Sequence, residues 1–149
     1  MVIREVMTRA VVTAAPHTPI REVAEIMRER NVGAVVLCGE DGAPVAFITD
    51  RDVAVSVVAG GHDAGGSAGD HASSPVVTGE PEMDLREAAT LMARFGIRRL
   101  PVIDDGRLAG IVTLDDIAVR TADPELQSSL TATITRSAMP EFYFHGRGE

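Results

Sequence analysis

Two stretches of the chain carry the same succession of apolar and polar positions. Ile20, Val23 and Met27 form a helical stripe, with Thr18 as the expected N-cap and Pro19 at the first helical position. Leu85, Ala88, Met92 and Phe95 form a second such stripe behind Asp84 and Glu87, which have capping-box spacing. After each helix come two short apolar runs around a glycine turn. Ala34 to Cys38 and Val45 to Ile48 flank Glu40-Asp41-Gly42, while Leu100 to Ile103 and Leu108 to Val112 flank Asp104-Asp105-Gly106. Such runs read as paired strands. With a short strand before and a second helix after, each stretch predicts the order strand, helix, strand, strand, helix. A third segment, from about Pro124 to Met139, has Leu126, Leu130 and Ile134 at helical spacing, and the chain then runs into Phe142-Tyr143-Phe144.

The two stretches are also related residue by residue. At a shift of 65 residues Val11-Val12-Thr13 matches Val76-Val77-Thr78, Arg21-Glu22 matches Arg86-Glu87, Ala24 matches Ala89 and Met27 matches Met92. At a shift of 64, Gly42 matches Gly106, Thr49 matches Thr113, Asp52 matches Asp116 and Ala54 matches Ala118. The glycine-rich segment 60–69 between them reads as a flexible connector. The expected organisation is repeat 1 over 6–59, a linker over 60–69, repeat 2 over 70–121 and a C-terminal helix and tail over 122–149.

Composition narrows the chemistry. A chain of 149 residues with 45% hydrophobic and 24% charged residues can bury one domain-sized core. Its formal net charge of -8 disfavours nucleic acid and anionic membranes, so any phosphate must be held by a local group of residues. All 14 basic residues are arginine, which excludes a Walker-type lysine, a Schiff-base lysine and a lysine general base. The single cysteine, Cys38, lies in an apolar run and reads as a buried, inert thiol. With no signal-peptide pattern and no apolar span of membrane length, a soluble cytoplasmic protein is expected.

The repeated chemical element is Thr-x-x-Asp at a strand-to-helix junction, in Ala46-Phe47-Ile48-Thr49-Asp50-Arg51-Asp52 and in Gly110-Ile111-Val112-Thr113-Leu114-Asp115-Asp116. A single copy reads most simply as a capping box, with Thr at the N-cap and the acid at N3. Two copies in tandem also suit a nucleoside phosphate, because helix N-termini favour phosphate and a carboxylate can accept bonds from both ribose hydroxyls.

These phrases, together with Ile97-Arg98-Arg99-Leu100-Pro101-Val102-Ile103-Asp104, resemble the cystathionine-beta-synthase (CBS) domain pair, or Bateman module, over residues 1 to about 122. The flavour is similar to stand-alone actinobacterial two-CBS proteins of the hypoxic-response type. The resemblance implies an α+β fold in which two tandem β-α-β-β-α repeats pack about a pseudo-twofold axis, with a C-terminal helical and aromatic tail. It implies clefts for adenine nucleotides and association into disc-like homodimers. Carried onto this chain, Asp52 and Asp116 would hold ribose hydroxyls, and Thr49 and Thr113 would sit near ribose or phosphate. Val12, Thr13, Val77 and Thr78 would line adenine, and Arg98 and Arg99 would reach the phosphates of a nucleotide whose ribose rests on the other repeat. Gly33 and Ala34 stand at the positions equivalent to the arginines, which makes the two clefts unequal, and Ala46 replaces the family's usual glycine.

Other constellations add little. His17, His62, His71 and His145 show no paired ligand spacing, so surface histidines and no metal site are expected. Asp50 and Asp52 fit a helix start, and no nucleophile is set beside a base in sequence, so no enzyme activity is expected. Arg98-Arg99 also fits a solvated pair at a strand edge, and the aromatic tail fits a packing element or a handle for another protein. The function expected is a non-catalytic sensor of an adenosine-containing small molecule: AMP, ADP or ATP, with NAD and S-adenosylmethionine as further candidates. No required cofactor is expected, and the partners expected are a second copy of the chain and an unidentified client protein. The alternative is a structural dimerisation module with vestigial clefts.

Overall fold

The computed structural model describes residues 1–74 and 76–138. Its elements are α1 (Ile3–Val6), β1 (Thr13–Ala14), α2 (Ile20–Arg30), β2 (Ala34–Cys38), β3 (Pro44–Thr49), α3 (Asp50–Asp52) running into a π-helix (Val53–Val58), a 3-10 turn (Ala68–Asp70), α4 (Leu85–Phe95), β4 (Arg99–Asp104), β5 (Arg107–Thr113), α5 (Leu114–Arg120) and α6 (Pro124–Ala138). The α+β architecture and both expected repeats are present. The aromatic run Phe142-Tyr143-Phe144 lies outside the described residues. Among the described residues, no helix is long and apolar enough to cross a membrane.

The chain forms two compact units that interleave along the sequence. Among the described residues, the first combines Met1–Met7, Pro81–Leu100 and 112–138; the second combines Thr8–Glu80 with Pro101–Ile111. In the second unit β1 lies parallel to β2, with Thr13 opposite Val36, and β2 runs antiparallel to β3, with Ala34 opposite Thr49. Val23 and Met27 of α2 join Val35, Leu37, Ala46, Ile48 and Ala68 in its core. In the first unit Leu85, Ala88 and Met92 of α4, Leu114, Ile117 and Ala118 of α5, and Leu126 and Leu130 of α6 are buried. The stripes read from the sequence are therefore the buried faces, except that Phe95 is exposed and Ile134 is only half-buried.

Four local expectations change. Helix α2 begins at Ile20 with Pro19 as its cap residue, and the Thr18 hydroxyl instead accepts the Ala15 amide at 3.1 Å. The first strand of repeat 2 shrinks to one parallel bridge between Gly79 and Val102, so Val77 and Thr78 belong to no strand. Cys38 is half-buried rather than fully buried; burial, then the nearby Asp41 charge, pushes its thiol pKa up, as an unreactive thiol requires. The connector 60–69 is not slack. Ile20 and Arg21 amides donate to Gly66 and Ala64 carbonyls, the Ala68 and Gly69 amides donate to Thr18 and Pro16 carbonyls, and Ala68 is fully buried. The glycines serve as close-approach points here, since a Cβ at Gly69 would stand 3.1 Å from the Pro16 carbonyl oxygen.

Candidate functional site

Both Thr-x-x-Asp elements fold into the same cap. Thr49 and Thr113 end β3 and β5 with backbone angles of φ -113 and ψ 163, and φ -113 and ψ 162. The Thr49 amide donates to Asp52 Oδ2 at 2.9 Å and the Asp52 amide to Thr49 Oγ1 at 3.1 Å. The Thr113 amide likewise donates to Asp116 Oδ2 at 2.9 Å and the Asp116 amide to Thr113 Oγ1 at 3.0 Å, with the Thr113 hydroxyl donating to the same Oδ2 at 2.7 Å. One carboxylate oxygen of each aspartate is thus committed to holding a helix start. The other oxygen of each half-buried carboxylate is the atom a ribose would need.

Within the second unit, Thr13 and Thr49 stand on either side of β2 near its start, opposite Val36 and Ala34. Val12 packs against the core while its carbonyl accepts the Val36 amide at 3.2 Å, and Thr13 is exposed. Within the first unit, the Leu114 amide donates to the Arg98 carbonyl at 3.1 Å, which brings Arg98 beside the Thr113–Asp116 cap. The Arg98 guanidinium then pairs with Asp115 at 3.2 Å, and Arg99 opens β4 with an exposed side chain. Repeat 1 has the same backbone bond, Asp50 amide to Gly33 carbonyl at 3.0 Å, but opposite chemistry. There Asp50 Oδ2 lies 3.2 Å from where a Cβ of Gly33 would stand, so a carboxylate adjoins the position from which repeat 2 extends the Arg98 side chain.

Sequence reasoning missed a groove of about 500 Å³ in the first unit, between α4 and α6, lined by Ala89, Met92, Leu114, Leu126 and Leu130 with Arg98 at its wall. Its only sign in the sequence is that α4 and α6 carry apolar stripes broken by small residues such as Ala93 and Ser129. Among the described residues, no three His, Cys, Asp or Glu side chains cluster so as to hold a metal ion.

Three known proteins share this architecture. Hypoxic response protein 1 of Mycobacterium tuberculosis is 34% identical over 116 residues, 77% of this chain and 81% of that protein. The crystal structure of that protein with two coordinated zinc ions superposes with a TM-score of 0.75 at 32% identity, covering 81% of this chain and 99% of the other. The CBS domain protein PAE2072 from Pyrobaculum aerophilum, complexed with AMP, gives a TM-score of 0.74 at 29% identity over 89% of this chain and 99% of the other. The CBS domain pair of protein MJ0100, in complex with 5'-methylthioadenosine and S-adenosyl-L-methionine, gives 0.71 at 25% identity over 80% and 94%. The family model for the CBS domain matches twice, at residues 3–58 and 68–122, and the chain belongs to the CBS-domain family.

Proposed function

We propose that the chain is a non-catalytic regulatory module that binds an adenosine-containing nucleotide on its two CBS repeats and acts as a homodimer toward a client protein in the cytoplasm. The carrying observation is the pair of matched caps, which present the Asp52 and Asp116 carboxylates in the same local geometry on homologous repeats. A carboxylate in that position accepts bonds from vicinal ribose hydroxyls. The two relatives that bear organic ligands agree in one respect, since AMP, 5'-methylthioadenosine and S-adenosylmethionine all carry an adenosyl group. Val12, Thr13, Val77 and Thr78 are assigned to adenine, Thr49 and Thr113 to ribose or phosphate, and Arg98 and Arg99 to phosphate. The repeats are taken as 6–59 and 70–121, with 60–69 as linker and 122–149 as the C-terminal helix and tail.

A second reading, a dimerisation module with vestigial clefts, is favoured by one fact: the caps alone account for both Thr-Asp pairs. A thermal-shift series with AMP, ADP, ATP, NAD and S-adenosylmethionine separates the two. A ligand of the folded state raises the melting temperature with its concentration. No shift with any of the five would leave the dimerisation module as the function.

A further inference from the structure

His62 and His71 are nine residues apart and lie in the segment that joins the repeats. The fold brings them together. Their ring centroids are 4.9 Å apart with 63° between the planes. Two imidazoles that share one zinc ion hold their centroids about 5 Å apart, because each ligating nitrogen stands about 2 Å from the metal and the angle between ligands is near tetrahedral.

Three further features prepare the pair. His71 Nδ1 is hydrogen-bonded to Ser56 Oγ at 2.8 Å, so Nε2 is the nitrogen left for a ligand, and the ring is held from behind as metal-bound imidazoles are. Both backbones are pinned: the His62 amide donates to the Val57 carbonyl at 2.9 Å and the His71 amide to the Ala68 carbonyl at 3.1 Å. Asp63 and Asp70 adjoin the two histidines in sequence, and the chain carries a net charge of -8, so the field attracts a cation.

We propose that His62 and His71 form a two-imidazole site for a borderline-soft divalent cation of the zinc, nickel or copper kind, with Ser56 as the positioning residue behind His71. Neutral imidazole suits these ions and does not suit magnesium. Water or an exogenous donor completes the coordination shell. Bound there, the ion ties the glycine-rich connector to the start of repeat 2 and so links metal supply to the stability of that junction.

The test is calorimetric titration of the chelator-treated full chain with Zn²⁺, with Mg²⁺ in parallel. One Zn²⁺ per chain is expected, with no heat from Mg²⁺ and an upward shift of melting temperature with Zn²⁺ only. His62→Ala and His71→Ala are each expected to abolish the site, and Ser56→Ala to weaken it about 10- to 100-fold. His17→Ala and Cys38→Ser are expected to leave it intact. Because His62 is exposed, its variant is expected to melt like the parent without metal. In NMR, Zn²⁺ is expected to shift the ring resonances of His62 and His71 ahead of those of His17 and His145. Retained 1:1 binding in both His62→Ala and His71→Ala, or its loss in Cys38→Ser, would overturn the proposal.

Discussion

The Thr49 amide donates to the Asp52 carboxylate at 2.9 Å while the Thr49 hydroxyl accepts the Asp52 amide at 3.1 Å. The aspartate assigned to ribose is therefore also half of a capping box, and its two roles separate by substitution. Asp52→Ala removes both and is expected to lower stability by about 0.5 to 1 kcal/mol. Asp52→Asn keeps an uncharged acceptor at the cap and is expected to melt near the parent, yet to lose nucleotide affinity tenfold or more, because a bond to a charged acceptor is worth about 1.5 to 3 kcal/mol. Calorimetry with AMP on the two variants checks this; full affinity in Asp52→Asn would show that the carboxylate serves the cap alone.

Arg98 is already engaged, by Asp115 at 3.2 Å, and both side chains are well exposed. An exposed pair of this kind is worth at most about 1 kcal/mol, so a phosphate can displace the aspartate at small cost. Asp115→Asn is accordingly expected to tighten AMP and ATP by up to about fivefold and leave adenosine unchanged. Arg98→Ala and Arg99→Ala are expected to do the opposite for the phosphorylated ligands. The asymmetry with repeat 1, where Asp50 sits beside Gly33, predicts that Asp52→Ala abolishes the tight site and Asp116→Ala largely spares it. A tight site that survives Asp52→Ala and vanishes in Asp116→Ala would reverse the assignment.

Most of this fold was legible because period and spacing dictate it. The stripe of α4 and the glycine turns at Gly42 and Gly106, both with positive φ, follow from local rules, and the structure places them where those rules do. What was not legible depends on distant packing. The helix that follows Asp52 is a π-helix over Val53–Val58, whereas its counterpart after Asp116 is α-helical. The β-branched run of Val53, Val55, Val57 and Val58 weakens α-helical preference, but only the tertiary setting selects the wider turn. The same setting aims Ser56 at His71, and a spacing of nine residues signals no ligand pair in either a helix or a strand. Val77 and Thr78 failed as a strand for a related reason: their β pattern matched Val12 and Thr13, but only Gly79 finds a partner.

Gly60 and Gly61 are adjacent but are constrained differently. A Cβ at Gly60 would overlap the Ser56 carbonyl oxygen and stand 2.9 Å from His62 Cδ2, whereas Gly61 has φ +72 and open space around it. Gly61→Ala is expected to cost about 1 kcal/mol through its backbone angle alone. Gly60→Ala must also move backbone, and is expected to cost about 1 to 3 kcal/mol and to displace the His62 ring. Urea unfolding of the two variants orders them, and equal costs would mean that the turn relaxes freely.

Three valines on the second helices of the repeats are exposed: Val55 and Val58 in repeat 1 and Val119 in repeat 2, the last at 77%. Val55 and Val119 are equivalent at the 64-residue shift, so both repeats present an apolar side chain at the same helical position. In the proposed homodimer these are contact residues, and an apolar position facing a partner does not tolerate charge. Light scattering is expected to give the dimer mass for the parent and the monomer mass for Val119→Glu. A monomeric parent at micromolar concentration would remove the homodimer from the functional reading.

Asp123 precedes α6, and its carboxylate accepts the Glu125 amide at 3.0 Å and the Leu126 amide at 3.1 Å while pairing with Arg86. The Leu126 bond chiefly, with the Arg86 guanidinium and the Glu125 bond assisting, holds its pKa below the ordinary carboxylate value of 3.8. The direction sets the sign. A carboxyl whose folded value is depressed stabilises the fold fully above its unfolded value, and that contribution disappears as pH falls through the lower folded value. Melting temperatures of the parent and of Asp123→Ala are therefore expected to differ by a constant amount near neutral pH. The gap is expected to narrow only below about pH 4, where the unfolded chain begins to take up the proton first. Because α6 packs on α5 and Gln127 Nε2 donates to the Ala118 carbonyl at 2.9 Å, the variant is also expected to show faster amide exchange at the start of α6 than in α5. A melting difference that stayed constant through pH 3 would mean that the carboxylate charge contributes nothing and that only the shape of the cap matters.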